Sequence, residues 1–174
     1  EWQMPEGVHY RQRLYMLNYD GQIALRAKAP TSKHFNSNYE VVVARRHKGQ
    51  KEYLRSRFAS VSELAKPGSW VISQVKKADV KTDGNPQDVV AVWVELKDGR
   101  KDLIISSAKP ASLQIGDIKF VGQRVFLRFK ADGKLELANM EASSELSLQG
   151  LSIKPQKAVW KAKVTKAVAG TFSN

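Results

Sequence analysis

Arg11, Arg13 and Tyr15 stand on one side of Asp20-Gly21, with Arg26 and Lys28 on the other, at spacings that could do recognition chemistry. Guanidinium groups fork onto carboxylate or sulfate, and tyrosine rings stack on sugars or guanidinium, so a face shared by these residues would suit an acidic glycan. The competing role is a solvated face whose rings cover strand edges. Arg45 and Arg46 in "ARRHKG", with Lys51, Arg55 and Arg57, form the densest basic cluster, either a second ligand contact or a soluble turn. Among His9, His34 and His47, His34 in the polar loop "TSKHFNSN" is best placed to border a cleft. The histidines show no His-x-His or Glu-x-x-His spacing, so no metal and no cofactor is expected. Trp2, Trp70, Trp93 and Trp160 offer flat faces for a pyranose. Trp93 leads them, because alternation sets it away from Val92 and Val94; burial against another strand or a neighbouring domain is its other role. Glu95 and Asp102 invite a glycosidase reading, but basic neighbours make them an ion network. Nothing supplies nucleophile, base and orienter in recognisable spacing, so no catalytic residue is assigned.

These residues must be positioned by strands. Asp20-Gly21, Asp98-Gly99 and Asp132-Gly133 each sit between runs of alternating polarity, the signature of β-hairpins. Strands are predicted near 9–19, 22–29, 39–46, 53–62, 70–80, 88–97, 101–107, 111–121, 123–130, 134–140, 143–149 and 157–168. The expected fold is all-β, an antiparallel β-sandwich of two large sheets. A two-residue turn at Asp20-Gly21 pairs Leu14 with Ala27 and Met16 with Leu25, leaving Arg13, Lys28, Tyr15 and Arg26 outward and Arg11 extending them. A two-residue turn at Asp98-Gly99 pairs Val92 with Ile105 and Val94 with Leu103 on the core face. It puts Trp93, Ile104, Glu95 and Asp102 on the other. The tail "KAVWKAKVTKAV" fits a strand through Trp160, Ala162 and Val164, and a helix through Trp160, Val164 and Val168; strand is preferred.

The chain has 174 residues, enough for one domain that would bury roughly 70% of its unfolded surface, and 1–174 is read as a single domain. Lys and Arg total 29 against 17 Asp and Glu, and the resulting +12 is spread along the sequence. A field of that sign favours polyanions: acidic polysaccharide, nucleic acid or an anionic surface. No RNA- or DNA-binding signature accompanies the charge, so nucleic acid is not the expected partner. With no Cys, thiolate chemistry and disulfides are excluded. No apolar run reaches the roughly 18 residues of a membrane helix. The N-terminus has neither an initiator Met nor a signal-peptide profile, as a piece of a longer or processed protein would.

Three segments in order resemble the C-terminal sheet region of the heparinase II/III family of polysaccharide lyases. They are "WQMPEGVHYRQRLYMLNYDGQIALRAKAP", "YEVVVARRHKGQKEYLRSRFASVSE", and "VISQVKKADV" leading into "VVAVWVELKDGRKDLIISS". The order of a basic strand, the "FASVSE" strand, that hairpin and "GDIKFVGQRVFLRFKADGKLELANM" is similar over nearly the whole chain. The resemblance implies a periplasmic or secreted protein whose parent eliminates across glycosidic bonds of a uronate polymer, with Tyr or His as base. The family's catalytic groups lie mainly in a helical toroid and the preceding sheet region, and no catalytic or metal-binding residue of the family matches a position here. The expectation is a non-catalytic module supporting the parent's helical catalytic domain, with acidic polysaccharide held by Arg11, Arg13, Tyr15, Arg26 and Lys28. A stand-alone carbohydrate-binding module for acidic glycans is the alternative.

Overall fold

Two compact units, Glu1–Trp70 and Val71–Asn174, make up the computed structural model. It describes residues 2–3, 10–19, 21–30, 38–47, 49, 56–156, 159–163 and 170–173. The described residues are all-β and mostly antiparallel, with one 3-10 turn at Pro86–Asp88, and none forms a helix long and apolar enough to cross a membrane.

The first unit holds β1 (Trp2–Gln3), β2 (Arg11–Leu17), β3 (Ile23–Pro30), β4 (Asn38–Arg45) and β5 (Ala59–Ala65). The expected opening hairpin does not form. β2 lies between β1 and β5, pairing Arg13 with Glu63 and Tyr15 with Val61, while β3 pairs with β4 in a separate ribbon. The chain still turns where Asp-Gly stands: Gln22 donates its N–H to Tyr19 O and to Asn18 Oδ1, and Gly21 adopts φ 72°. The turn signal was legible, but the strands leaving it find partners far along the chain. Leu17, Tyr19, Trp70 and Glu63 are buried.

The second unit is one large sheet: β6 (Ile72–Lys77), β7 (Lys81–Thr82), β8 (Val89–Leu96), β9 (Lys101–Ile115), β10 (Ile118–Phe129), β11 (Leu135–Leu148), β12 (Leu151–Lys154), β13 (Val159–Lys163) and β14 (Gly170–Ser173). The tail segment at β13 is a strand. Where strands were expected at 101–107 and 111–121, β9 runs on to Ile115 and the chain then turns at Gly116-Asp117 into β10; where they were expected at 134–140 and 143–149, β11 runs on as a single element. β9 and β11 bend instead of breaking. Register shifts fall at Gly122 on both flanks of β10, opposite Ser143 on one side and the 106–111 stretch on the other. Inward positions on β10 are therefore even before the shift, at Ile118 and Phe120, and odd after it, at Val125, Leu127 and Phe129. Such bulges bend a strand and strengthen its twist.

The bend is sharp. A straight strand of the length of β9 would set its ends about 45 Å apart. Yet Lys101 and Ile115 from its two ends line one cleft, as do Ile118 and Phe129 from the ends of β10. The sheet therefore curls over a single core built from both halves: Leu103, Ile105, Val125, Leu127, Ala138 and Met140 from one, Leu113, Ile115, Phe120, Leu146, Leu148 and Ile153 from the other.

The β8–β9 hairpin also departs from the expected register by one residue. Its loop has three residues, not two: Gly99 donates to Leu96 O at 3.1 Å, Leu96 donates to Arg100 O at 2.9 Å, and Gly99 takes φ 87°. Val92 pairs with Ile104, Trp93 with Leu103 and Glu95 with Lys101. A shift of one residue turns side chains to the other face. Trp93 consequently packs against the core, and Val92 and Val94, though buried, share the opposite face with Asp102. The β10–β11 tip repeats the loop, with Gly133 donating to Lys130 O and Lys130 to Lys134 O, both at 2.9 Å. In each loop the Asp carboxylate accepts the N–H two residues on, which fixes the turn ahead of a left-handed Gly.

Candidate functional site

Where the ends of the bent strands meet, a cleft of about 790 Å³ opens. Its apolar floor is Trp93, Phe129, Ile115 and Ile118, with the Trp93 and Phe129 rings 5.8 Å apart and inclined at 48°. Its rim carries Lys81, Lys101 and Lys130, the carboxylates Asp79, Asp117 and Asp132, and the Gln114 amide. The volume falls in the range of about 300–1,000 Å³ that buries most of a small ligand. A half-buried tryptophan under a ring of charged and amide groups can stack a sugar ring while ion pairs and hydrogen bonds fix its substituents.

Each rim group is placed by a turn or strand end. Lys101 opens β9, Asp117 lies in the β9–β10 turn, Lys130 and Asp132 in the β10–β11 loop, and Asp79 in the link between β6 and β7. The Lys134 N–H and ammonium hold the Asp132 carboxyl below its ordinary range, so it stays charged. Lys101 lies 3.7 Å from Glu95, whose carboxyl is also held below the usual range, first by the hydrogen bond from Lys76 at 2.6 Å. The ion network expected around Glu95 and Asp102 forms with particular partners. Asp102 receives a bidentate Arg128 at 2.8 and 2.7 Å, and Arg100 turns back on Asp98 at 2.7 Å. The charges are still compensated within the sheet, but by partners that the shifted register selects.

Of the residues singled out by sequence, Trp93 alone reaches this cleft, and on the core side of its strand rather than on an outward face. Arg11, Arg13 and Tyr15 share one side of β2, while Arg26 and Lys28 are exposed on β3, so the hairpin face meant to unite them is absent. Arg13 stacks on Trp70 at 4.1 Å, and the Tyr15 hydroxyl donates at 3.4 Å to the buried Glu63 of β5. Arg45 lies against His47 Nε2, Arg46 is half-buried, and Arg57 covers the Tyr19 ring at 4.7 Å. His34, His9, Lys51 and Arg55 fall outside the described residues. Among the described residues no cluster of acids and histidines could hold a metal. The sequence reading missed Lys81, Gln114, Lys130 and Asp132. The signal available for the last two was the Asp132-Gly133 turn, which places them at a hairpin tip. No protein-family model matches the chain, and no curated protein matches it.

Proposed function

We propose that the chain is a non-catalytic glycan-binding module of a heparinase II/III-like polysaccharide lyase, periplasmic or secreted, that holds acidic polysaccharide beside a helical catalytic domain. The two halves of its bent sheet, sharing one core, would serve as the layers of a β-sandwich. One observation carries the reading: an aromatic-floored cleft whose rim sets Lys81, Lys101 and Lys130, which can meet sugar carboxylates, alongside Asp79, Asp117 and Asp132, which can accept from sugar hydroxyls. The proposed role is to grip the polymer rather than cut it.

Calorimetric titration with uronate oligosaccharides and neutral glucans tests this. A chain of net charge +12 retains any polyanion in dilute buffer, so the salt must be near 0.15 M. Acidic oligosaccharides should bind and neutral ones should not; Trp93→Ala should abolish binding, and Trp93→Phe should retain part of it. Equal binding of acidic and neutral sugars, or acidic binding untouched by Trp93→Ala in a folded variant, would overturn the proposal.

A further inference from the structure

The charges around the cleft balance. Asp79, Asp117 and Asp132 stand against Lys81, Lys101 and Lys130, so the rim carries no net charge although the whole chain carries +12. A rim of one sign would hold a polyanion by charge alone, whereas a balanced rim selects by where each sign stands. Two of the six have partners beyond the cleft lining: Lys101 lies 3.7 Å from Glu95, and Lys134 lies 3.3 Å from the Asp132 carboxylate. Among the described residues, no ion pair takes up Lys130, Lys81, Asp79 or Asp117.

Those four fall on two sides of the cleft. Lys130 follows Phe129, which pairs with Lys101 at the start of β9. Asp117 lies in the turn at the other end of β9, and Asp79 and Lys81 come with β7, where Lys81 pairs with Gln114 near that same end. The floor divides in the same way, Trp93 and Phe129 belonging to the Lys130 side and Ile115 and Ile118 to the Asp117 side. One side thus offers a single cation beside the aromatic rings. The other offers two carboxylates against one lysine, an excess of negative charge that a hydroxyl would leave standing and an ammonium would meet. We infer that the cleft seats a dipolar sugar unit: a uronate over Trp93 with its carboxylate at Lys130, joined to a sugar whose free amino group, charged as an ammonium, meets Asp117 and Asp79. The inference rests on the glycan reading above and adds the second charge of the ligand.

The test is a titration of the full chain, near 0.15 M salt and at about pH 6, where an amine of ordinary basicity is charged. The probes are a uronate tetrasaccharide that alternates with an amino sugar, in its free-amine form and in its N-acetylated form. The free-amine form should bind about tenfold more tightly, the worth of one charge-assisted hydrogen bond. Asp79→Asn with Asp117→Asn should bring the two forms to within about twofold of each other, Lys130→Ala should weaken both by about tenfold, and Trp93→Ala should abolish both. Equal affinity for the two forms, a preference that survives the double Asp→Asn variant, or binding indifferent to Lys130→Ala overturns the dipolar assignment and leaves the glycan reading standing. Failure of both forms to bind, or binding indifferent to Trp93→Ala, overturns the glycan reading and the assignment with it.

Discussion

Gly122 sets the bend that brings the ends of β10 together, and Gly122→Ala is the sharpest perturbation of the account. Its φ is 153°, where side chains are rarely tolerated. A Cβ there would lie 2.4 Å from Ser143 Oγ and 2.5 Å from both Ser143 Cβ and Cα, whereas ordinary carbon contacts are about 3.5–4.0 Å. One of those neighbours is backbone in a paired strand, so the overlap cannot be relieved by a rotamer change. Backbone strain of about 1–3 kcal/mol and overpacking of about 1–3 kcal/mol overlap in part, giving an expected loss of about 3 kcal/mol. For a chain of this size that lowers Tm by roughly 6–12 °C. Gly116→Ala is the control: its φ is 59° and nothing lies within 4 Å of the added carbon, so only backbone strain of about 1–2 kcal/mol applies. Ser143→Gly in the Gly122→Ala background removes the Oγ and Cβ contacts but leaves Cα, so it should recover part of the loss. Urea unfolding of the full chain followed by far-UV circular dichroism measures all three. A Gly122→Ala loss within about 0.5 kcal/mol of the Gly116→Ala loss would refute the close-approach argument.

Further outcomes follow from the ion pairs. Asp102→Asn removes the charge that meets the Arg128 fork; with Asp102 buried and the Arg128 side chain 31% exposed, the expected cost is about 2–3 kcal/mol in urea unfolding. Glu95 has its carboxyl held below the ordinary value of 4.5, so its stabilising share is complete above that pH and is lost as pH falls through the lowered value. Lys76→Ala removes the largest cause, so the variant should lose less stability than the parent when low-salt unfolding is compared above and below pH 4.5.

How far the sequence reaches can be seen at three turns. Asp98-Gly99 and Asp132-Gly133 announced hairpins where hairpins stand, because Asp closes the turn on the following N–H and Gly accepts the left-handed backbone. Whether the loop holds two residues or three depends on a single hydrogen bond, and that one residue moved Trp93 from an outward face into the floor of the cleft. At Asp20-Gly21 the turn was legible but the pairing was not, since β2 finds β5 and β3 finds β4 through contacts that no local pattern encodes. Bends within β9, β10 and β11 read as strand breaks, because a bulge interrupts alternation just as a turn does. The cleft was illegible for the same reason: its walls are turn residues from opposite ends of strands that only the bends bring together.

Chemical-shift mapping of the isotopically labelled chain, titrated with a uronate tetrasaccharide near 0.15 M salt, shows whether the cleft holds the glycan. The Trp93 indole N–H, the Gln114 side-chain amide and the backbone around Gly116, Asp117 and Lys130–Gly133 should shift together and saturate with one dissociation constant. Shifts confined to β2, β3 and the Arg45–His47 stretch, with Trp93 silent, would contradict it.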